Sequence, residues 1–318
     1  MKTTMKRHNQ ISQLVSNLQN FSRNEHNLNG LSSPACFDVL ACQIIDSIRR
    51  IRYVETLALR TDYMTPLRKE PNSDVFDPLR AACLYLRDNN YDEACWLVFL
   101  ATHFGKSNKT GWILCRDIYS GLGTQTWTWD TITDDFAAFE QWFASVSDEL
   151  TANSSLRQYG NHRKYETKKY HSRRSIPAVF RSYIGFIGAT HSHEARFAEA
   201  KSFSSSPESL FELLYSGLNA VISFGRTAKF DYLTMLKKTG LLDVEPGHAF
   251  LNGATGPLQG SRLLFSNSRT AGDTIDVLNE KLADLAAIIP APYLRMQVIE
   301  DALCNWQKSP DRYVYFGG

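Results

Sequence analysis

The chain has 318 residues, of which 43% are hydrophobic and 12% aromatic, and its formal net charge is +2. This composition excludes a disordered chain, and the length is sufficient for one large domain or two closely packed ones. Because there is no run of 18 apolar residues and no apolar N-terminal segment, the sequence predicts neither a transmembrane helix nor a secretory signal. We therefore expect a cytoplasmic protein with no membrane partner.

Helical periodicity dominates the chain. In chain order it predicts helices in "PACFDVLACQIIDSIRRIRYVETLAL", "FDPLRAACLYLRDN", "YDEACWLVFLATHFG", "GWILCRDIYSGLG" and "DDFAAFEQWFASVSDELTAN", and then at 175–188, 206–222, 227–239, 274–288 and 293–307. Asp77 or Phe76 is the expected N-cap of the second of these helices. Only "TQTWTWDTI" alternates like a strand, and it is short. The predicted fold class is all-α.

No internal repeat or long low-complexity linker divides the chain, and the polar, basic stretch at 151–174 is its best internal boundary. The predicted organisation is an N-terminal extension at 1–30, one helical domain at 31–310 with subdomains 31–150 and 175–310 joined by 151–174, and a tail at 311–318.

Six cysteines are spread along the chain: Cys36, Cys42, Cys83, Cys95, Cys115 and Cys304. None forms a Cys-x-x-Cys pair, so buried reduced thiols are expected rather than a zinc or iron–sulfur site. The stretch "HSHE" at His191–Glu194 can hold a metal, but we expect neither a metal nor another cofactor.

The segment "GNHRKYETKKYHSRRS", Gly160 to Ser175, is densely basic. Between Arg157 and Arg181 there are eight Lys or Arg residues against one acid, Glu166. Such a segment is a solvated loop, a basic patch for nucleic acid or part of an active site, and composition alone does not decide among these.

The stretch "SGLNAVISFGRTAKFDYLTMLKKTG" breaks one helix at "SFG" and restarts another at "RTAKFDYL". It resembles the helix-hairpin-helix of the large DNA glycosylase superfamily, in which a glycine turn at a helix N-terminus offers backbone N–H groups to a DNA phosphate. The match is partial, because Ser223 stands where the first of two glycines is usual and only Gly225 remains. An ordinary glycine-broken helix pair is the alternative interpretation.

Six sequence blocks together resemble one family: "FDPLRAA", "DEACWLVFLATHFGK", "GNHRKYE", "FGRTAKFDYL", "EPGHAFLNGATGPLQGSRLLF" and "VIEDALCNWQKSP". The family is alpha-glutamyl/putrescinyl thymine pyrophosphorylase, clade 3, and the similarity runs from about residue 36 to 310. This resemblance implies a DNA glycosylase-like helical fold with a DNA-binding cleft. The chain also resembles a bacterial anti-phage glycosylase that removes glucosylated 5-hydroxymethylcytosine from viral DNA.

The superfamily resemblance implies a catalytic carboxylate roughly twenty residues beyond the hairpin glycine, at the mouth of the pocket. Glu245 lies at that distance from Gly225, although the usual residue is aspartate. Asp231 and Asp243 are the other candidates. The alternatives are a capping or ion-pair role for Asp231 and a first-turn helix charge for Glu245.

The superfamily resemblance implies that a Schiff-base lyase would carry an amine nucleophile at the hairpin position that corresponds to Thr227. Lys229 is nearby but is displaced along the helix. The sequence therefore favours a monofunctional glycosylase that leaves an abasic site.

The remaining polar and basic residues suit recognition of a flipped base and its backbone. Base or sugar contacts are expected from Asn161, His162, Arg163, Tyr165, Asn305 and Gln307, with His103, Lys106 and Trp306 as weaker pocket candidates. Phosphate contacts are expected from Lys164, Lys168, Lys169, Arg173, Arg174, Gly225, Arg226 and Thr227.

Three functions fit these features. The first is a DNA glycosylase that excises a modified pyrimidine from double-stranded phage DNA in anti-phage defence. The second is a base-hypermodification enzyme of the thymine pyrophosphorylase type, and the third is a non-catalytic DNA-binding module. No obligate protein partner is expected.

Overall fold

The computed structural model describes residues 2–152, 154–160 and 166–316, and the side chains of the first helix from residue 7 onward. Within these ranges the protein is all-α, which confirms the predicted fold class. The helices are α1 (Lys2–Asn24), α2 (Pro34–Leu59), α3 (Pro78–Arg87), α4 (Tyr91–Phe104), α5 (Ile113–Tyr119), α6 (Trp129–Asp134), α7 (Phe136–Ala152), α8 (Ile176–Ile187), α9 (His193–Ser202), α10 (Pro207–Gly217), α11 (Arg226–Lys238), α12 (Thr255–Ser266), α13 (Ile275–Ala287) and α14 (Arg295–Trp306).

The chain forms two compact units. Unit 1 combines both ends of the chain, Met1–Val54 and Glu245–Gly318, and unit 2 is the continuous stretch Glu55–Val244. The basic segment at 151–174 lies within unit 2.

The core of unit 1 is built by α1, α2, α12, α13 and α14. Residues 1–30 were predicted to be an N-terminal extension, yet α1 buries Leu14, Leu18 and Phe21 in this core. These three side chains follow a spacing of three to four residues, which puts them on one helix face. Polar residues between them mask the pattern, so the helix does not stand out in the sequence.

Two glycines let α12 approach α14 closely. A Cβ on Gly256 would lie 2.6 Å from the Cys304 sulfur, and one on Gly260 would lie 2.5 Å from the Leu303 carbonyl oxygen. Glycines four residues apart share a helix face, so this side of α12 is smooth enough for backbone contact. Packing therefore accounts for both glycines of "TGPLQGS".

The centre of unit 2 is α4, in which every residue from Glu93 to Phe104 is buried. A helix that is apolar all round is expected to be enclosed by its neighbours, and α4 packs against α3, α5, α6, α9 and α11. It ends at Gly105, whose φ of 64° is the left-handed conformation that glycine tolerates.

The starts of several helices are fixed by side-chain caps. Asp77 accepts hydrogen bonds from the N–H groups of Leu79 and Arg80, which confirms it as the N-cap of α3. The hydroxyl of Ser175 caps α8 in the same way. Pro177 follows in the first turn of α8, where a helix needs no N–H donor.

The six cysteines are free, four of them buried and two half-buried. Among the described residues, no three His, Cys, Asp or Glu side chains are grouped so that they could hold a metal. None of the described helices combines the length and apolarity that a membrane crossing requires.

Candidate nucleic-acid interface

A tight turn joins α10 to α11 and is held by its own backbone. The N–H of Phe224 donates to the Val221 carbonyl at 3.2 Å, and both side chains are buried. Ser223 has a φ of 64°, the left-handed region that usually favours glycine, whereas Gly225 has a φ of −70°. The position expected to be glycine in a two-glycine turn thus has a glycine-like backbone, although it carries serine.

The N-terminus of α11 is exposed beside this turn. Gly225 is the N-cap and supplies no side-chain cap, and both Gly225 and Thr227 are exposed. The first N–H groups of a helix have no intrahelical acceptor and lie at the positive end of its dipole, so they bind anions well. Arg226 is half-buried with its guanidinium 4.6 Å from the centre of the Phe230 ring. This end of α11 therefore has the chemistry of a phosphate contact.

The amine of Lys229 points back into the hairpin. It donates to the Asn219 side-chain oxygen at 2.6 Å and lies 4.0 Å from the centre of the Tyr215 ring. Burial lowers the pKa of Lys229 below its ordinary value. Through these contacts Lys229 packs within the hairpin.

A surface pocket of about 450 Å³ lies where the turn, α8 and the basic segment meet. Ile222 of the turn and Tyr170 of the basic segment both line it. The N–H of Ile222 donates to the Ser182 hydroxyl at 2.9 Å, which ties the turn to α8. The structure thus brings together the hairpin and the basic segment, which are about fifty residues apart in the sequence.

Two charged residues that the sequence analysis did not select also line this pocket. Arg181 forms an ion pair with Glu140 of α7 and lies 4.5 Å from the centre of the Phe136 ring. Arg181 belongs to the basic run counted in the sequence, but Glu140 is one acid among several on an amphipathic helix. No sequence pattern singles out Glu140, because only the packing of α7 on α8 brings it to the pocket.

The basic segment divides into exposed and anchored residues. Lys169, Arg173 and Arg174 are exposed, and within the described part of the chain they form no ion pair. Lys168 instead donates to the Arg157 carbonyl at 2.8 Å, and burial, together with the charge of Arg157, lowers the pKa of Lys168. Three of these four cations are therefore available to a backbone phosphate.

Asn161, His162, Arg163, Lys164 and Tyr165 lie outside the described residues. The residues on either side of them are attached to the end of α4. The N–H of Gly160 donates to the Phe104 carbonyl at 2.8 Å, and a Cβ on Gly160 would lie 3.0 Å from the Gly105 Cα. The block "GNHRKYE" therefore begins where two glycine backbones touch.

At the other end of that block, the Glu166 carboxylate lies 3.7 Å from Nδ1 of His103, and both side chains are buried. His103 packs against Phe99, Phe104 and Phe180. His103 is thus a core residue of unit 2 with a carboxylate beside it, and Lys106 is exposed just beyond the helix. The sequence analysis named Glu166 only as a member of the block.

Unit 2 contains two candidate carboxylates, Asp231 within α11 and Asp243 after it, and they differ in exposure. Asp231 is half-buried in the second turn of the helix. Asp243 is 73% exposed and forms an ion pair with Lys237 near the other end of the helix. Because a helix rises about 1.5 Å per residue, Asp231 lies about 8 Å along the helix axis from the start of α11.

The remaining candidate carboxylate, Glu245, begins the second part of unit 1. Its Oε2 accepts a hydrogen bond of 2.7 Å from the N–H of Leu294, the residue that precedes α14. Leu294 has a φ of 54° and no side-chain cap, so Glu245 serves as a cap from a distant part of the chain. This contact fixes the orientation of the carboxylate.

Asn305 and Gln307 are buried in unit 1 and are used by internal hydrogen bonds. The Asn305 amide donates to Asp301, and its oxygen accepts from Lys308 at 3.2 Å. The Gln307 carbonyl and side-chain oxygens accept from Arg269. Trp306 is fully buried in the same core and donates to the Pro310 carbonyl at 3.2 Å.

A buried chain of hydrogen bonds crosses unit 2 and was not foreseen from the sequence. Asp92 accepts from the N–H of His193 at 2.6 Å and contacts its Nδ1 at 2.8 Å. The His193 Nε2 lies 2.8 Å from the Tyr183 hydroxyl, which lies 2.7 Å from that of Tyr232. Burial lowers the pKa of His193 despite the Asp92 carboxylate, which favours the neutral imidazole.

Comparison of the sequence with known protein families identifies the family of this all-helical chain. A sequence model of the family described as alpha-glutamyl/putrescinyl thymine pyrophosphorylase, clade 3, matches residues 35–318. The match spans most of the chain, and the protein belongs to this family. No curated protein and no solved structure shows a significant match.

Proposed function

We propose that the protein is a DNA glycosylase that flips a modified pyrimidine out of duplex DNA and excises it. The reaction leaves an abasic site, and the proposed target is modified phage DNA in the cytoplasm of the infected cell. The family name refers to a modified thymine, which supports a modified nucleobase as the substrate class.

The observation that carries the proposal is the convergence of the hairpin turn and the basic segment on one pocket. A phosphate at the N-terminus of α11 would lie beside Ile222, and the exposed Lys169 and Arg173 belong to the segment on the other side. Enzymes that act on a base within a duplex must hold the backbone on both sides of the flipped nucleotide. The meeting of the turn and the basic segment at one pocket supports such a role.

Glycosidic cleavage adds water to the sugar. The water oxygen bonds to C1′, the bond between C1′ and the base nitrogen breaks, and the base leaves with a proton. Positive charge develops on the sugar, and a fixed carboxylate stabilises it. Glu245 is our first candidate because its separation from Gly225 along the sequence fits the superfamily and its orientation is fixed by Leu294. Asp231 is the second candidate and Asp243 the third.

Recognition of the base is assigned to the block that begins at Gly160. Asn161, His162, Arg163 and Tyr165 are proposed to read the base or a sugar attached to it, and Lys164 to contact a phosphate. Asn305 and Gln307 keep a proposed role only if the hydrogen bonds they make within unit 1 rearrange on binding.

The test is incubation with matched phage DNA that carries or lacks the base modification, followed by mass spectrometry of free bases and a count of abasic sites. We expect release of the modified base alone, with one abasic site per base. Binding of DNA without release, also with added pyrophosphate, would identify a non-catalytic DNA-binding module and refute the proposal.

The family name favours a second candidate, a base-hypermodification enzyme of the pyrophosphorylase type. That reaction requires pyrophosphate, whereas hydrolysis requires only water. A product that forms only when pyrophosphate is added, or a changed base mass within intact DNA, would establish this alternative.

A further inference from the structure

A groove of about 270 Å³ in unit 1 is separate from the pocket described above. It runs beside α12 and is lined on one side by Thr255, Leu258, Gln259 and Arg262, which share a face of that helix. The chain after the helix forms the other side with Arg269 and Thr270. No acidic residue is among those lining the groove.

The two arginines are held by neutral oxygens. Arg269 donates from Nε to the Gln307 carbonyl at 3.1 Å, and Arg262 donates from Nη1 to the Thr270 carbonyl at 3.4 Å. Within the described residues neither guanidinium forms an ion pair with a carboxylate. Carbonyl oxygens orient a guanidinium without cancelling its charge, so two fixed positive charges face one groove.

One N–H group of the two arginine side chains has no acceptor among the described residues. The Nε of Arg262 is buried and has no hydrogen-bond partner among the described residues. A buried, unsatisfied donor on a charged group costs more than one on a neutral group, and such donors are usually matched by a ligand or water. The groove therefore has two guanidinium charges that no carboxylate lining it balances.

The end of α12 adds donors of the same kind. Its N-cap, Ala254, supplies no side-chain cap, and Gly253 before it has a φ of 74°. The N–H groups of Thr255 and Gly256 are oriented toward this end, where the helix dipole favours negative charge, and Pro257 has no N–H to add. Planar guanidinium groups and backbone N–H donors together match the oxygens of a phosphate group.

From this geometry we infer that the groove beside α12 is a binding site for a phosphate group, with Arg262 and Arg269 as its charged ligands. The phosphate is either a phosphodiester of the DNA backbone or free phosphate or pyrophosphate. The inference does not rest on the glycosylase proposal, because it concerns an anion site in unit 1 and requires no base chemistry.

The test follows the arginine Nε–Hε signals of the full-length protein by NMR, with signals assigned from single Arg262→Lys and Arg269→Lys variants. Three titrants are compared at constant ionic strength: inorganic phosphate, pyrophosphate and an unmodified DNA duplex. A saturable shift of the Arg262 and Arg269 signals with a free anion identifies free phosphate as the ligand. A shift with DNA alone identifies the backbone. No shift of these two signals with any titrant overturns the inference.

A second measurement uses an Arg262→Gln/Arg269→Gln variant and Arg312→Gln, an exposed arginine of the same unit, as the matched control. For a free anion, we expect the double variant to weaken binding about tenfold or more. For DNA, we expect the dependence of log affinity on log salt to fall by about two units, one for each contact. An effect of Arg312→Gln that is equal per charge removed would show unspecific charge attraction and overturn the inference.

Discussion

The Ser182 hydroxyl accepts a hydrogen bond from the Ile222 N–H at 2.9 Å and donates one to the Val179 carbonyl at 2.7 Å. The turn before α11 is thereby fixed on the body of α8. A helix N-terminus that binds phosphate needs such support, because its N–H groups must keep their direction when the ligand arrives.

The N-terminus of α11 can be tested by placing a negative charge on it. Thr227→Glu puts a carboxylate in the first turn, which favours the helix by about 0.3–1 kcal/mol but repels a phosphate. We expect unchanged or slightly raised thermal stability and a loss of DNA affinity of about tenfold, the value of one charge-assisted contact. Fluorescence anisotropy with a labelled duplex measures the affinity.

The matched control is Ala195→Glu, which adds the same charge to the first turn of α9 at another exposed position of unit 2. It changes the net charge equally but lies at a helix start to which we assign no role in DNA binding. If both variants lose the same affinity, the N-terminus of α11 is not a specific phosphate contact.

The exposed cations of the basic segment should determine the salt dependence of DNA binding. Replacing Lys169, Arg173 and Arg174 with Ala is expected to lower the slope of log affinity against log salt by up to about three units, because each lost phosphate contact removes about one. Lys201→Ala on α9 is an exposed control. A slope equal to that of the wild-type protein would assign the segment to a solvated loop.

Lys168 should behave differently from its neighbours. Its amine donates to the Arg157 carbonyl. Lys168→Ala should therefore lower the free energy of unfolding, measured by urea denaturation, and leave the slope of log DNA affinity against log salt close to that of the wild-type protein.

The carboxylates are distinguished by base release. A carboxylate that stabilises charge in the transition state contributes to the rate but little to ground-state binding. Glu245→Gln is expected to lower the rate of base release by about a hundredfold or more while DNA binding persists. If Asp231 is the catalytic carboxylate instead, Asp231→Asn should lower the rate of base release in the same way. Single-turnover kinetics measures the rate.

Because Glu245 also caps Leu294, its variant needs a stability control. Glutamine keeps an oxygen acceptor for the Leu294 N–H, so Glu245→Gln should unfold close to the wild-type temperature. Near wild-type release from all three variants, with Asp243→Asn as the third, would show that the acid lies elsewhere. The buried Glu166 would be the next to test.

Ten of the helices could be predicted from the sequence because their apolar residues recur at helix spacing and several have conventional caps. The predicted helix at 227–239 is Arg226–Lys238, and that at 274–288 is Ile275–Ala287. Four helices, α1, α6, α9 and α12, were not predicted. In α1, the polar residues between Leu14, Leu18 and Phe21 mask the helical pattern. The burial of α1 depends on partners from the other end of the chain, which local periodicity does not report.

The site could be predicted only where a local pattern marks it. Gly225 and the exposed basic residues were found because a turn and a charge run are visible along the chain. Glu140 and the Asp92–His193 pair were not, since each needs two helices to meet. A buried polar group has no sequence signature beyond an isolated polar residue in apolar surroundings.

The buried Glu93 should make stability depend on pH. Burial raises its pKa to about 7, although the Tyr119 hydroxyl and the Trp129 N–H bind its carboxylate. The folded protein therefore holds a proton that the unfolded chain releases near pH 4.3. The stability from this group is complete below that pH and is lost as the pH rises through 7.

Glu93→Gln removes this titration while it keeps the shape and one acceptor. The free energy of unfolding of the variant, relative to wild type, should rise by up to about 1.4 kcal/mol per pH unit between the two pKa values and level off above pH 7. Urea unfolding at about pH 5, 6, 7 and 8 measures it. Parallel pH profiles would show that Glu93 is already ionised in the folded protein at neutral pH.

The close approach of α12 and α14 predicts a compensating pair. Gly256→Ala should destabilise by about 1–3 kcal/mol, because the new Cβ meets the Cys304 sulfur. Cys304→Ala removes that sulfur, and the double variant should recover part of the loss. A double-mutant cycle by urea unfolding measures the coupling, which would be near zero if the two residues did not touch.

Unit 1 draws its core from both ends of the chain, with Leu14 and Leu18 near the beginning and Val298 and Trp306 near the end. During synthesis on the ribosome, α1 and the first part of α2 emerge long before α12, α13 and α14. Unit 2 is continuous and can therefore fold while the apolar faces of the early helices still lack their partners. A stalled or prematurely terminated chain would expose those faces. We therefore expect nascent chains of this protein to depend on chaperones until α12, α13 and α14 have been translated.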